Sequence, residues 1–437
     1  MPGTLRPRPP SLGGWRVIVS LLVVLLLGAM AACADDGGDA SPDGTTTTAA
    51  ATSEPGTAGP STTTEEEVEP EEVPAGDDLY EVPDPLPDGP HGTLLRYQEV
   101  TPSPVEEART WTVMYLSESL AGEAIAVTGQ VVVPAGPAPD GGRTTLAVAH
   151  GTTGIADECA PSKNGGGAEL QIATPVVAQG WIVAVTDYEG LGSPGRHPYL
   201  VGESEGRSVI DSVLAAGALP DADQGDQVAI AGYSQGGHGA LWAGEVAEDW
   251  APDLDVVGTF AGAPATEVDI ILRAAPSLPQ AGFAYMIIAG MAEAYPEAKP
   301  DLILTPEGVD RLAAVDEGCT SDIFAAFAGV PASDLVRPEG PDTEPWATLA
   351  IEQNPGRTVT EAPVLIIHSD DDGTVPVALS GILFDRMCTN GQVVERRVLD
   401  AAGGHAGAAP EAFRQGLEWL FGLADGTVTA TDGCPIA

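Results

Sequence analysis

The sequence has very few basic residues. Only two lysines, Lys163 and Lys299, occur among 437 residues, and 18 lysines and arginines stand against 64 aspartates and glutamates, for a formal net charge of −46. A protein that binds nucleic acid needs a basic surface to neutralise phosphates. The composition therefore excludes a nucleic-acid partner. Apolar residues make up 43% of the chain, which is enough for a sizeable core.

Cysteines are also scarce, and none belongs to a Cys-x-x-Cys pair. Five cysteines are too few for a small disulfide scaffold, and their spacing indicates neither a zinc ribbon nor a redox dithiol. No histidine lies at ligand spacing from them and no phosphate-binding motif occurs, so we predict no metal and no cofactor. In an oxidising compartment, four cysteines are expected to form two disulfides, with three possible pairings: Cys159, Cys319, Cys388 and Cys434.

The apolar run near the N-terminus is too short to span a bilayer. It covers the sixteen residues 17–32 and follows three arginines: Arg6, Arg8 and Arg16. This combination is typical of a secretory signal peptide. The run ends at Met30-Ala31-Ala32-Cys33, which resembles the lipobox of bacterial lipoproteins; ordinary cleavage near Ala32 is the alternative. We expect residues 1–32 to be removed and acyl chains on Cys33 to attach the protein to a membrane face.

The segment after this cysteine is acidic and has almost no large apolar side chains. Residues 34–89 contain sixteen acidic residues and no lysine or arginine. Such a segment cannot bury enough apolar surface to offset its ordering entropy. We predict that residues 33–89 are a disordered linker, which holds an extracytoplasmic domain of residues 90–437 away from the envelope. We expect that domain to be a monomer.

Apolar runs after residue 110 predict alternating strands and helices. Two β-like segments precede a series of short runs rich in valine and isoleucine: 111–117 and 124–133, then 145–149, 181–186, 227–231, 256–260 and 364–367. Helical patterns lie between and after them: 168–179, 205–218, 238–249, 377–390 and 410–423. This alternation favours a doubly wound α/β fold, in which a mostly parallel sheet is covered on both faces.

A long insertion interrupts the alternation. Residues 265–362 are largely helical in pattern and contain many prolines. A connection of this length inside a compact domain is usually functional, so we predict a cap over the sheet. Within it, the apolar stretch 281–291 has two interpretations: a buried helix of the cap, or a surface that contacts acyl chains.

Two serines fit the pattern Gly-x-Ser-x-Gly, which is typical of a nucleophile elbow. They are Ser204 and Ser234. The elbow requires a strand before the serine and a helix after it, because its tight turn needs glycines where other side chains would clash. Ser234 has both predicted elements. Ser204 follows no predicted strand, and two adjacent glutamates would oppose an oxyanion beside it. Ser234 is therefore the predicted nucleophile.

A serine nucleophile needs a histidine base and an acid that orients the histidine, in the chain order Ser, acid, His. Of six histidines, we favour His405, because it alone has an acidic strand end upstream; two glycines before it predict a loop at the carboxyl edge of the sheet. His238, one helical turn after Ser234, is interpreted as a helix-packing residue. The acid should follow the strand at 364–367, where spacing does not separate three candidates: Asp370, Asp371 and Asp372.

The oxyanion hole should combine two backbone donors from different loops. One is the N–H of the residue after the nucleophile, Gln235. For the other we predict the N–H of Thr152, in the loop His150-Gly151-Thr152-Thr153-Gly154 that follows the strand at 145–149.

Together these motifs resemble the secretory lipase family of α/β-hydrolases, the fungal lipase A type. The likeness covers about residues 90–437 and includes the long insertion and a Gly-His near the end. In the family's acid motif the carboxylate lies four residues before a proline, which implies Asp372; Ser369 stands where the motif has glycine. The remaining motifs are His-Gly-Thr-Thr-Gly at 150–154, Asp-Tyr-Glu-Gly-Leu-Gly at 187–192 and Gly-Tyr-Ser-Gln-Gly-Gly at 232–237.

The resemblance implies a hydrolase of carboxylic esters, above all acylglycerols, that uses Ser234, Asp372 and His405. The predicted acylation of Cys33 would make this hydrolase lipid-anchored. It also implies the disulfides Cys159–Cys319 and Cys388–Cys434. The alternatives are a short-chain carboxylesterase, a serine peptidase or acyltransferase on the same fold, and a solute-binding lipoprotein. A binding protein has no need of an ordered nucleophile, acid and histidine. Asp187 and Glu189 are interpreted as structural.

Overall fold

A ten-stranded sheet forms the centre of the computed structural model, which describes residues 68–166 and 169–435. The strands are β1 (Glu71–Glu72), β2 (Leu94–Glu99), β3 (Ala108–Glu118), β4 (Ala124–Pro134), β5 (Arg143–Ala149), β6 (Ile182–Thr186), β7 (Gln224–Tyr233), β8 (Asp255–Gly262), β9 (Val364–Ser369) and β10 (Val394–Leu399). Their order across the sheet is β1-β2-β3-β4-β6-β5-β7-β8-β9-β10. Pairing is antiparallel from β2 through β4 to β6 and parallel from β6 to β10. The predicted fold class is confirmed.

Twelve helices accompany these strands in the described ranges. They are α1 (Ala173–Val177), α2 (Gly202–Gly217), α3 (Gln235–Trp250), α4 (Val268–Ala274), α5 (Gly282–Ala294), α6 (Pro300–Ile303), α7 (Pro306–Leu312), α8 (Thr320–Phe327), α9 (Ala332–Leu335), α10 (Trp346–Glu352), α11 (Val377–Asn390) and α12 (Gly404–Ala424). None of these helices is long and apolar enough to cross a membrane.

The two faces of the parallel strands are buried by different helices. Successive side chains of a strand point to opposite faces. In β5, Leu146 and Val148 pack with α1 and α12, whereas Ala147 and Ala149 pack with α2 and α3. The continuous apolar runs are explained by this burial on both faces.

The insertion between β8 and β9 contains α4 to α10 and has its own apolar core. Its longest helix, α5, is largely buried, and Tyr285 stacks on Phe327 of α8 with ring centroids 3.9 Å apart. The disulfide Cys159–Cys319 joins the loop after β5 to the start of α8, and Cys388–Cys434 joins α11 to the C-terminal segment. Both pairings implied by the family resemblance are thus confirmed.

The prediction of a disordered linker over residues 33–89 is wrong for its last part. From residue 68 the chain packs on the sheet: β1 pairs with β2, and Val73 and Leu79 are buried. Arg96 of β2 fixes the segment, since its guanidinium donates to the backbone carbonyls of Asp78, Leu79 and Glu81. Composition does not reveal this packing. A few apolar side chains and main-chain hydrogen bonds are enough to order a segment when the edge of a sheet is already formed and supplies their partners. The predicted signal peptide and Cys33 lie outside the described residues.

Candidate active site

Ser234 lies at the turn between β7 and α3, and its backbone has φ 62° and ψ −120°. This strained conformation is typical of a nucleophile elbow. Two flanking glycines make it possible: a Cβ at Gly232 would lie 1.9 Å from the carbonyl oxygen of Gly236, and one at Gly236 would lie 2.0 Å from that of Ala149. The strand–turn–helix context predicted for Ser234 is therefore present.

The second serine of the same pattern has a different environment. Ser204 lies in the first turn of α2, is buried, and donates a hydrogen bond from Oγ to Oε2 of Glu189 at 2.5 Å. Ser204 therefore lies on a helix and not at a tight turn, and its hydroxyl is bound to a carboxylate and not presented to a substrate. The rejection of Ser204 as the nucleophile agrees with this geometry.

Asp372 and His405 form a close pair at the carboxyl end of β9. His405 Nδ1 lies 2.6 Å from Oδ2 of Asp372, whose other oxygen, Oδ1, accepts the backbone N–H groups of Thr374 and Val375 at 2.8 and 2.9 Å. Burial alone would raise the pKa of Asp372. Hydrogen bonds from His368 and His405 outweigh burial and hold the pKa well below its ordinary value. Asp372 is therefore ionised at neutral pH and can orient an imidazole.

The other two aspartates of the run hold the chain that carries the histidine. Asp370 Oδ1 accepts the N–H of Ala401 at 2.8 Å. Asp371 accepts hydrogen bonds from the N–H groups of Gly403 and Gly404 at 3.2 and 3.0 Å, where α12 begins. Sequence spacing could not show which of the three aspartates is the acid. The directions of their side chains do, since only Asp372 contacts His405.

His405 lies in the first turn of α12, so the prediction that it sits in a loop is wrong. The pair Gly403-Gly404, both at positive φ, forms the turn that starts the helix. Tyr233, the residue before the elbow serine, donates from its hydroxyl to the His405 carbonyl at 2.6 Å, and the two rings lie 5.2 Å apart. The elbow and the histidine turn are therefore in direct contact.

The two predicted oxyanion-hole residues border the same region. Gln235 is the first residue of α3, where backbone N–H groups have no partner within the helix and the helix dipole favours negative charge. Thr152 follows β5; its hydroxyl bonds the Tyr199 hydroxyl at 2.8 Å, and its carbonyl accepts the Thr320 hydroxyl at 3.3 Å. The loop is thus tied to the insertion on its far side.

The residues around Asp187 stabilise loops. Asp187 is buried and accepts hydrogen bonds from the hydroxyls of Thr128 and Ser162 and from the Ser162 N–H. Burial raises the pKa of Glu189, which accepts from Ser204. These contacts agree with the structural interpretation of both acids. His238 is buried in α3, bonded to Glu205 and to the carbonyl of Gln353, as a helix-packing residue would be.

Ser234 lines a pocket between the insertion, the loop before α2 and the start of α11. None of the described residues that line it is charged, and its walls are mainly aliphatic and aromatic: Ile270, Ile271, Leu278, Phe283, Ile287 and Leu379. Phe283 and Ile287 belong to α5, so the stretch 281–291 is both a buried cap helix and, on one side, a pocket wall. Ile270 and Leu278 are 38% and 46% exposed, which extends the apolar surface to solvent.

Comparison with known proteins decides the family. A model of the secretory lipase family matches residues 165–430, well over half of the chain. The chain belongs to the secretory lipase family. The assignment made from the sequence motifs is confirmed, and with it the enzyme class, since lipases are carboxylic ester hydrolases.

Individual relatives of this secretory lipase are distant. A secreted triacylglycerol lipase of Malassezia globosa is 25% identical over 390 residues, 83% of either chain. A Mycobacterium tuberculosis protein described as a probable inactive lipase is 26% identical over 80% of this chain and 82% of its own. The closed-state structure of Candida antarctica lipase A has 22% identity and a TM-score of 0.70 over 83% of this chain and 89% of that one, which shows the shared fold.

The family and the two disulfides also bear on location. The family is described as secretory, and disulfides form and persist in oxidising compartments outside the cytoplasm. Both findings indicate a secreted protein.

Proposed function

We propose that this secretory lipase hydrolyses neutral acyl esters through an acyl-enzyme on Ser234. Ser234 Oγ attacks the ester carbonyl carbon while Nε2 of His405 takes the hydroxyl proton, and Asp372 holds the imidazole in the tautomer that leaves Nε2 free to do so. The carbonyl oxygen becomes an oxyanion that accepts hydrogen bonds from the backbone N–H groups of Gln235 and Thr152. Collapse breaks the bond to the alcohol, which receives the proton from His405.

Water completes the cycle by the same steps. His405 takes a proton from water, the hydroxide oxygen attacks the acyl carbon, and the bond to Ser234 Oγ breaks as the serine recovers its proton. The carboxylic acid is released.

The observation that carries this proposal is the Asp372–His405 pair in contact with the elbow of Ser234. One relative is described as a probable inactive lipase, so we infer activity from this chain's own residues and not from family membership alone. The described residues that line the pocket beside Ser234 are mainly apolar and carry no charge, which favours a neutral acyl group over the charged group of an aminoacyl substrate.

Acyl-chain dependence tests the substrate class. Because each buried methylene contributes roughly 0.8 kcal/mol, kcat/KM for p-nitrophenyl esters should rise from acetate towards longer chains while the chain still enters the pocket. The measurement is initial rates from acetate to palmitate with the full-length protein. A maximum at octanoate or longer is the expected result for a lipase. A maximum at acetate or butyrate would make it a short-chain esterase, and turnover of aminoacyl amides alone would favour a peptidase.

We further propose that acylated Cys33 holds the enzyme on a membrane. Cys33→Ala should move the protein from the membrane fraction to the soluble fraction, because the acyl chains supply the attachment, and kcat/KM should stay within twofold. Fractionation followed by esterase assay measures both. Ser41→Ala, in the same segment, is the control and should remain membrane-bound. Unchanged membrane association of Cys33→Ala would contradict lipidation.

A further inference from the structure

Behind the elbow lies a cluster of buried polar side chains that take no part in the proposed mechanism. Its members are Glu205 of α2, His197, Gln235 and His238, and each side chain is buried. Buried polar groups are costly unless they are hydrogen-bonded, so a cluster of this kind constrains the parts that carry it.

The Gln235 side-chain amide donates hydrogen bonds to two acceptors on other residues, and this fixes its orientation. Its Nε2 lies 2.9 Å from His197 Nε2 and 2.9 Å from Glu205 Oε1, so the amide donates one N–H to each. A flipped amide would place its oxygen against a carboxylate oxygen and a ring lone pair. The two acceptors therefore determine the direction of the Gln235 side chain.

His197 is fixed as an acceptor by its other nitrogen. Its Nδ1 lies 2.9 Å from the carbonyl oxygen of Glu189 and must donate there, which leaves the Nε2 lone pair for Gln235. Burial lowers the pKa of His197 to about 4, although the nearby Glu205 opposes this shift. The ring is thus neutral at physiological pH.

Glu205 holds a second element of the site. The same Oε1 that accepts from Gln235 also accepts the backbone N–H of Leu200 at 3.1 Å, and Leu200, at φ 56°, lines the pocket together with Ser234. Its other oxygen lies 2.6 Å from His238 Nδ1, while His238 Nε2 donates to the carbonyl of Gln353 at 2.8 Å. One carboxylate therefore joins the elbow, the pocket wall and the end of the insertion.

We infer that Glu205 and His197 are positioning residues for the oxyanion hole, acting through the side chain of Gln235 on its backbone N–H. This inference rests on the proposed function, because the N–H of Gln235 matters only if an oxyanion forms beside Ser234. A hydrogen-bond donor stabilises the tetrahedral intermediate fully only if it already points at the oxyanion position before the reaction. A displacement of such a group by about 1 Å can lower the rate on the order of 100-fold.

The test removes, one at a time, the two side chains of the Glu205–Gln235 hydrogen bond in the full-length protein. Glu205→Met and Gln235→Met keep the volume and remove the bond. Each should lower kcat for p-nitrophenyl butyrate by about 10- to 100-fold with KM within about twofold, because the loss falls on the transition state. Inhibition by phenylboronic acid, whose tetrahedral adduct also needs the oxyanion donors, should weaken by the factor lost in kcat/KM.

Glu205→Gln is the rescue. Its amide oxygen can accept from Gln235 and Leu200, while its NH2 can donate to His238 Nδ1, because the ring already donates from Nε2 to the Gln353 carbonyl. Every contact is therefore kept, and kcat should stay within about threefold of the parent. Glu189→Gln is the matched control: this neighbouring acid contacts Ser204 and not the Gln235 side chain, and it should leave kcat within twofold.

The outcomes separate the inference from the proposed function. Unchanged kcat in Gln235→Met, with Ser234→Ala inactive, would overturn the inference alone, as would a loss confined to KM. If Ser234→Ala kept the activity of the parent enzyme, both the proposed function and this inference would be wrong. If Glu205→Met shows no cooperative unfolding transition, Gln235→Met decides the matter, because Glu205 then keeps its bonds to Leu200 and His238.

Discussion

Ser234→Ala is expected to lower kcat for ester hydrolysis by roughly 10⁵- to 10⁶-fold, because no other hydroxyl of the elbow can attack the carbonyl. The residual rate over water would come from binding and from the oxyanion donors. The melting temperature should change little, since the serine side chain packs against no core. Initial rates with p-nitrophenyl butyrate and a thermal unfolding scan measure both quantities.

Ser204→Ala is the matched control for this experiment. It deletes the same hydroxyl from the other Gly-x-Ser-x-Gly sequence and removes one bond to Glu189. The rate should therefore stay within twofold. A rate in Ser234→Ala above about a thousandth of the parental value would reject Ser234 as the nucleophile.

Asp372→Asn should have the next largest effect, a loss of roughly 10⁴-fold in kcat. Oδ1 of Asp372 accepts two backbone N–H groups, so the amide oxygen of asparagine would take that place and its NH2 would face His405. The imidazole would then accept at Nδ1 and carry its proton on Nε2, where it cannot take the proton of Ser234. The measurement is kcat across a pH series.

Asp370→Asn and Asp371→Asn are the controls. Asp370 accepts one backbone N–H and Asp371 accepts two, all at or just before the start of α12, and neither side chain contacts His405. An asparagine oxygen keeps one such bond, so losses should stay within about tenfold. Equal losses in all three variants would show that the acid had been assigned wrongly.

The elbow could be predicted from sequence because its requirements are local. A strand, glycines where a Cβ would strike the backbone and a following helix are all contained in a few consecutive residues. The acid could not be chosen in this way. Asp370, Asp371 and Asp372 differ in the direction that the turn gives each side chain, and only the family motif indicated Asp372.

Features that depend on distant partners escaped prediction. The packing of residues 68–89 depends on Arg96 and on the edge of β2, which composition does not reveal. The helical start at His405 depends on the bonds that Asp371 makes to Gly403 and Gly404. The bond between Glu205 and Gln235 joins residues 30 positions apart, and neither residue type signals it.

Covalent labelling tests the central claim, an acyl-enzyme on Ser234, most directly. A fluorophosphonate transfers its phosphorus to an activated serine hydroxyl with loss of fluoride, and the adduct can be located by mass spectrometry of proteolytic peptides. The account predicts one adduct, on Ser234, with loss of activity in proportion to labelling and no adduct in Ser234→Ala. An adduct on Ser204 or another residue, or an active enzyme that stays unlabelled, would contradict it.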